Sequence, residues 1–132
     1  MIRNIDFPEV EGVFVAIVQE EPNADLWMVY LINDNGFELS NVLVNSKGYG
    51  HKVGNKVETS TLKHFFEHIG PNSVTKIEPI QKEVFVLTNQ YWVSFYAGKK
   101  VYDKKYVFTA GSIDVAHVTH IPQLGQKGIL HP

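Results

Sequence analysis

"EVFVLTNQYWVSFYAGKKVYDKKYVF", residues 83–108, decides the fold. Val, Phe, Tyr and Trp crowd into three short runs, 83–88, 91–96 and 101–108, and β-branched and aromatic side chains suit a pleated, half-buried surface. Asn89-Gln90 falls between the first two runs as a two-residue hairpin loop, and "AGKK", 97–100, makes the next turn. Three consecutive strands joined by tight turns predict an antiparallel sheet.

The same pattern continues upstream. "GVFVAIV", 12–18, and "LWMVYLI", 26–32, are apolar on both faces, as strands covered on both sides are. "EEPNAD", 20–25, and "NDNG", 33–36, are turns, and "FELSNVLV", 37–44, is expected to pair back and complete a meander. "SVTKIEPI", 73–80, reads as an edge strand, because Pro79 has no N–H to give to a ladder. Residues 1–10 form a lead-in. "NSKGYGHKVGNK", 45–56, reads as a glycine-rich loop.

"VETSTLKHFFEHIG", 57–70, is the one helix expected. Ser60 or Thr61 can cap its start and Gly70-Pro71 stops it. At about 100° per residue, Leu62, Phe65, Phe66 and Ile69 share one face. Within it, "HFFEH", 64–68, fits H-x-x-E-H, a zinc-peptidase pattern with two histidine ligands and a glutamate base. Helical phase turns His64, Glu67 and His68 towards water, and no second helix follows to supply a third ligand. The segment is therefore read as an amphipathic crossover helix between sheets with a polar outer face, or as an irregular strand.

These elements predict a mainly β chain: an antiparallel, Ig-like β-sandwich of about seven to eight strands with one short helix near 60–69. A closed β-barrel is the alternative. Residues 1–110 make a single β domain. Residues 111–132 make a C-terminal tail whose Ile113, Val115, Val118, Ile121, Leu124, Ile129 and Leu130 need cover, from the domain or from a neighbouring subunit.

Composition narrows the function classes. The 132 residues are 44% hydrophobic and 20% charged, which suits a globular domain. The absence of cysteine excludes disulfides, thiol catalysis and cysteine metal sites. A net charge of −2 gives no general pull towards nucleic acid or acidic lipid. Arg3 is the only arginine, which weighs against bidentate phosphate recognition. No apolar run approaches a membrane span and no signal-peptide pattern opens the chain, so a cytoplasmic protein without membrane contact is expected.

The stretches "VFVAIVQE", "WMVYLIN", "NSKGYG", "TSTLKHFF", "KIEPI", "EVFVLTNQYWVSFY" and "YDKKYVF" together resemble a family of small uncharacterised bacterial proteins, over residues 1–110. Members sometimes carry the label phenylalanyl-tRNA synthetase alpha subunit. The resemblance implies no activity. A class II synthetase holds ATP through arginines in two separate motifs, whereas this chain has Arg3 alone and is too short for such a catalytic core. Aminoacylation is not expected.

Other candidate sites in the sequence have plain structural roles as their alternatives. His117 and His120, in "HVTH", have ligand-like spacing but no acidic cluster close in sequence. "GYGHKVGNK", 48–56, misses G-x-G-x-x-G by one place and lacks the Walker lysine. Lys99, Lys100, Lys104 and Lys105 alternate with Tyr102 near Tyr91, Trp92 and Tyr96, a pattern that can bind single-stranded nucleic acid or line an interaction surface. The carboxylates Glu20, Glu21, Glu58, Glu78, Glu83 and Asp103 show no close pairing. No catalytic residue and no cofactor is expected. The first reading is a non-enzymatic protein-interaction or assembly module, with a protein partner or self-association expected. The alternatives are a small-molecule-binding barrel and nucleic-acid binding through the hairpin 98–108.

Overall fold

The computed structural model describes residues 9–132, so the first eight residues of the lead-in, Arg3 among them, lie outside the described residues. Ten strands follow: β1 Val13–Val18, β2 Leu26–Asn33, β3 Leu39–Lys52, β4 Asn55–Glu58, β5 Leu62–Ile69, β6 Ser73–Gln81, β7 Thr88–Ala97, β8 Lys100–Phe108, β9 Thr119–Ile121 and β10 Gln126–His131. They form two antiparallel sheets. One has the order β6-β2-β1-β10-β9; the other runs β4-β3-β7-β8, with β5 also pairing with β3. The sheets make a sandwich and do not close into a barrel. No helix among the described residues is long and apolar enough to cross a membrane.

The doubly apolar strands have a direct explanation. The inner face of β1 and β2 contributes Val13, Val15, Ile17, Trp27, Val29 and Leu31 to the main core between the sheets. Their outer face contributes Ala16, Val18, Tyr30 and Ile32 to a second cluster with Ile121. Leu124 packs there too, so the C-terminal segment covers this outer face. The same segment supplies β10, which pairs with β1 through Val15 and His131. Gly128 permits that approach: a Cβ there would lie 2.8 Å from the Ile17 carbonyl oxygen.

Several expected elements change. The strand β3 does not return to β2; it crosses to the opposite sheet and pairs with β4, β5 and β7. The expected loop 45–56 is the long β3–β4 hairpin, turning at Val53 and Gly54, both at positive φ. The expected hairpin at Asn89-Gln90 is absent: β7 runs straight through, and Lys82–Val86 forms a 3-10 turn. Phe85 in that turn is buried edge-on against Trp27, at 5.3 Å between ring centroids. Phe85 plugs the core and Val84 packs against it, while Val86 is left exposed.

The helix near 60–69 is also corrected. Those residues are β5, paired along β3 from Leu39 with Ile69 to Ser46 with Leu62. A strand alternates its side chains, so the adjacent Phe65 and Phe66 part to opposite faces. Phe66 packs on the core, while Phe65 is 61% exposed. Three cross-sheet links cluster where the chain changes sheets. The buried Asn33 side chain donates to the carbonyls of Phe37 and Gly70, each at 2.9 Å, and Asn72 N–H donates to the Asn35 carbonyl. They tie the β2–β3 and β5–β6 connections together.

Candidate functional site

The site begins with a β-bulge in β6. Val29 of β2 pairs with Glu78 and Tyr30 pairs with Lys76, leaving Ile77 as the extra residue. A bulge lets neighbouring side chains break strict alternation. Ile77 and Glu78 are accordingly both buried, and Glu78 is only 9% exposed. Without the irregularity, a carboxylate next to a core isoleucine would face solvent.

Burial of a carboxylate is costly unless donors replace the lost water. Here they come from three strands of the opposite sheet. Ser46 Oγ of β3 donates at 2.9 Å to Oε1 and 3.1 Å to Oε2. Tyr91 Oη of β7 donates to Oε2 at 3.0 Å. His64 Nε2 of β5 lies 2.7 Å from Oε1. Burial pushes the Tyr91 hydroxyl pKa well up, and the charge and hydrogen bond of Glu78 add to that shift. Tyr91 therefore stays a neutral donor.

A cleft opens beside this cluster. β5 and β6 meet at the turn 70–72 but belong to opposite sheets, so they diverge away from it. The His64–Glu78 contact spans the two arms, and beyond it a space of about 310 Å³ lies between Leu62 on one side and Ile80 on the other. Ser46, Gly48, Glu78, Asn89 and Tyr91 also line it. A mostly apolar concavity with a few convergent polar groups has the character of a small-molecule site. Gly48 keeps that wall thin: a Cβ there would meet Asn89 Oδ1 at 3.1 Å and Thr59 Cγ2 at 3.3 Å.

The residues singled out from sequence disperse. Four residue steps along the strand separate His64 from His68 by about 13 Å, too far for one metal ion to join them. His64 faces Glu78, whereas the exposed His68 lies beside Glu38 at 3.0 Å. This corrects the expectation that both histidines face water. His117 belongs to a 3-10 turn and His120 to β9, and both are exposed. Among the described residues, no group of three or more His, Asp and Glu is placed to hold a metal ion.

The aromatic and lysine set divides between faces. Tyr91 is buried, and Tyr102 stacks on buried Phe95 with centroids 5.1 Å apart. Trp92 and Tyr96 are exposed on the outer face, where Lys105 Nζ lies 4.4 Å from the Trp92 ring centroid. Lys104 instead reaches the Pro132 carbonyl at 2.8 Å, while Lys99 and Lys100 are exposed at the β7–β8 turn. Glu78 was one carboxylate among several in the sequence. Its only signal there was an acid beside isoleucine in an otherwise alternating strand.

Compared with family models, curated proteins and solved structures, the chain matches none.

Proposed function

We propose that this chain is a non-enzymatic binding protein that takes up a small molecule in the Glu78 cleft. One observation carries the reading: a bulge turns a carboxylate inward, donors from the opposite sheet hold it, and an open cleft of about 310 Å³ adjoins it. Such pre-organised geometry favours binding, because little ordering remains to be done when a ligand arrives. Ser46 gives no sign of a nucleophile, since its hydroxyl is turned onto the carboxylate. A bacterial source belongs to the same proposal and rests on the sequence resemblance.

The test is a fragment-mixture titration of the isotope-labelled chain, read by amide NMR shifts. The reading expects shifts clustered at Ser46, Gly48, Gln81 and Asn89. Shifts confined to other surfaces would remove it.

A second reading, a protein-contact or assembly role, is supported by the outer face of the β4-β3-β7-β8 sheet. Leu43 and Phe65 are directly opposed across β3 and β5, and both are exposed, as are Trp92 and Tyr96 on β7. Exposed aromatics of this kind are common at interfaces. Self-association through this face would be seen by sedimentation and lost in Phe65→Glu. A monomer at all concentrations would count against it. The lysines 99, 100, 104 and 105 do not converge, so nucleic-acid binding through the 98–108 hairpin gains no support from their placement.

A further inference from the structure

We propose that the cleft takes a small protonated amine, an ammonium group carried on a short apolar body; this rests on the reading of the cleft as a ligand site. The argument is an inventory of what the lining can offer. Glu78 and Glu83 bring two negative charges, and Lys47 brings one positive charge. Lys47 is already 3.5 Å from Glu58. The lining therefore sums to −2 + 1 = −1, and its one cation is engaged elsewhere.

The hydrogen-bonding groups are one-sided in the same sense. Ser46 and Tyr91 spend their hydroxyl protons on Glu78. Thr59 Oγ1 accepts from Gly48 N–H at 2.7 Å and lies 3.1 Å from the Ser60 carbonyl, to which it donates. Asn89 is 4% exposed, and its amide nitrogen donates to the carbonyls of Val84 and Leu87 at 3.0 and 3.2 Å. Its Oδ1 has no donor among the described residues and lies against the bare backbone of Gly48. Pro79 has no N–H to give. Apart from Lys47, whose ammonium is drawn to Glu58, and Ser60 and Gln81, whose side chains can serve either role, the polar side chains of the lining present acceptors to an occupant.

An acceptor-rich, negative and partly buried site calls for a donor-rich cation. Ser46 shares one proton between the two oxygens of Glu78, so three donor protons serve about four lone-pair sites, and an incoming N–H can take the site that the shared proton covers only in part. An ammonium supplies several N–H donors and the missing charge together. Leu62, Ile80 and Val84 then face the apolar body. A carboxylate or phosphate ligand would meet Glu78 and Glu83 with like charge.

The experiment compares butylamine, 1-butanol and butyrate at equal millimolar concentrations on the full isotope-labelled chain at pH 7. Butylammonium is expected to shift the amides of Ser46, Gly48 and Asn89, with the alcohol and acid at least tenfold weaker. Glu78→Gln should weaken the amine at least tenfold, and Glu83→Gln severalfold. If Glu78→Gln does not fold, Glu83→Gln carries the charge test, because Glu83 is exposed. Butyrate or butanol binding as tightly as the amine would overturn the amine class while leaving the cleft as a ligand site. Unchanged amine affinity in the folded variants would overturn it as well. Silence from all three probes overturns the amine proposal, and the fragment mixture then decides separately whether the cleft binds anything.

Discussion

Tyr91 gives up water on folding and takes Glu78 in exchange, and the exchange favours folding only while the pair is intact. A hydrogen bond to a charged group contributes about 1.5–3 kcal/mol, and its removal leaves a buried carboxylate short of a donor. Tyr91→Phe should therefore destabilise the chain by about that amount in urea unfolding, with the packing of the ring retained. A loss below about 0.5 kcal/mol, the range of an ordinary surface change, would mean that the bond does not join the sheets. Little at this scale was legible beforehand. The buried role of Glu78 depends on Ile77 being skipped by the β2 register, and neither residue announces that pairing. Pro79 was readable, because a missing N–H restricts it to an edge, and β6 is an edge strand.

At the scale of the element, β5 separates two accounts of HFFEH. In a helix, His64 and His68 would share a face and have similar roles. In the strand, His64 contacts the buried Glu78 while His68 pairs with exposed Glu38. We expect His64→Ala to cost about 1–3 kcal/mol through the unsatisfied carboxylate. We expect His68→Ala to change stability by under about 0.5 kcal/mol, as exposed pairs contribute little. Equal losses in parallel melts would return the segment to a shared-face reading. The helical reading failed for a physical reason. Leu62, Phe65, Phe66 and Ile69 satisfy a helical stripe, but Phe65 is simply left exposed on the sheet's outer face. The run 83–88 misled for the opposite reason: an apolar plug in a 3-10 turn has the composition of a strand.

For the whole molecule, the sandwich was legible because strand composition and turn spacing survive local errors. The C-terminal segment was legible only as a need for cover. In the structure it covers the outer face of β1 and β2 and adds β10 to their sheet. Deleting residues 111–132 should abolish cooperative melting, because it exposes Ala16, Val18 and Ile32 and strips an edge from β1. A truncated chain with an unchanged transition would contradict that role. Stability should also fall at high pH. Burial, with the hydrogen bond and charge of Glu20 adding to it, raises Tyr30 from 10.0 to about 12. Burial also pushes Tyr106 up, where its hydroxyl donates to the Val13 carbonyl at 2.6 Å. A raised tyrosine pKa means that the folded state holds its proton more tightly. The contribution is full below about pH 10 and is lost as pH rises towards 12. Melting temperature measured from pH 9 to 12 should therefore fall through that window, and Tyr106→Phe should flatten the fall; an unchanged profile would dissociate these tyrosines from stability. The most direct test of the central claim is a crystal structure of the chain soaked with butylamine. The account predicts density for the amine between Leu62 and Ile80, with its nitrogen against Glu78. A cleft filled by the chain's own side chains, or amine density found only elsewhere on the surface, would contradict it.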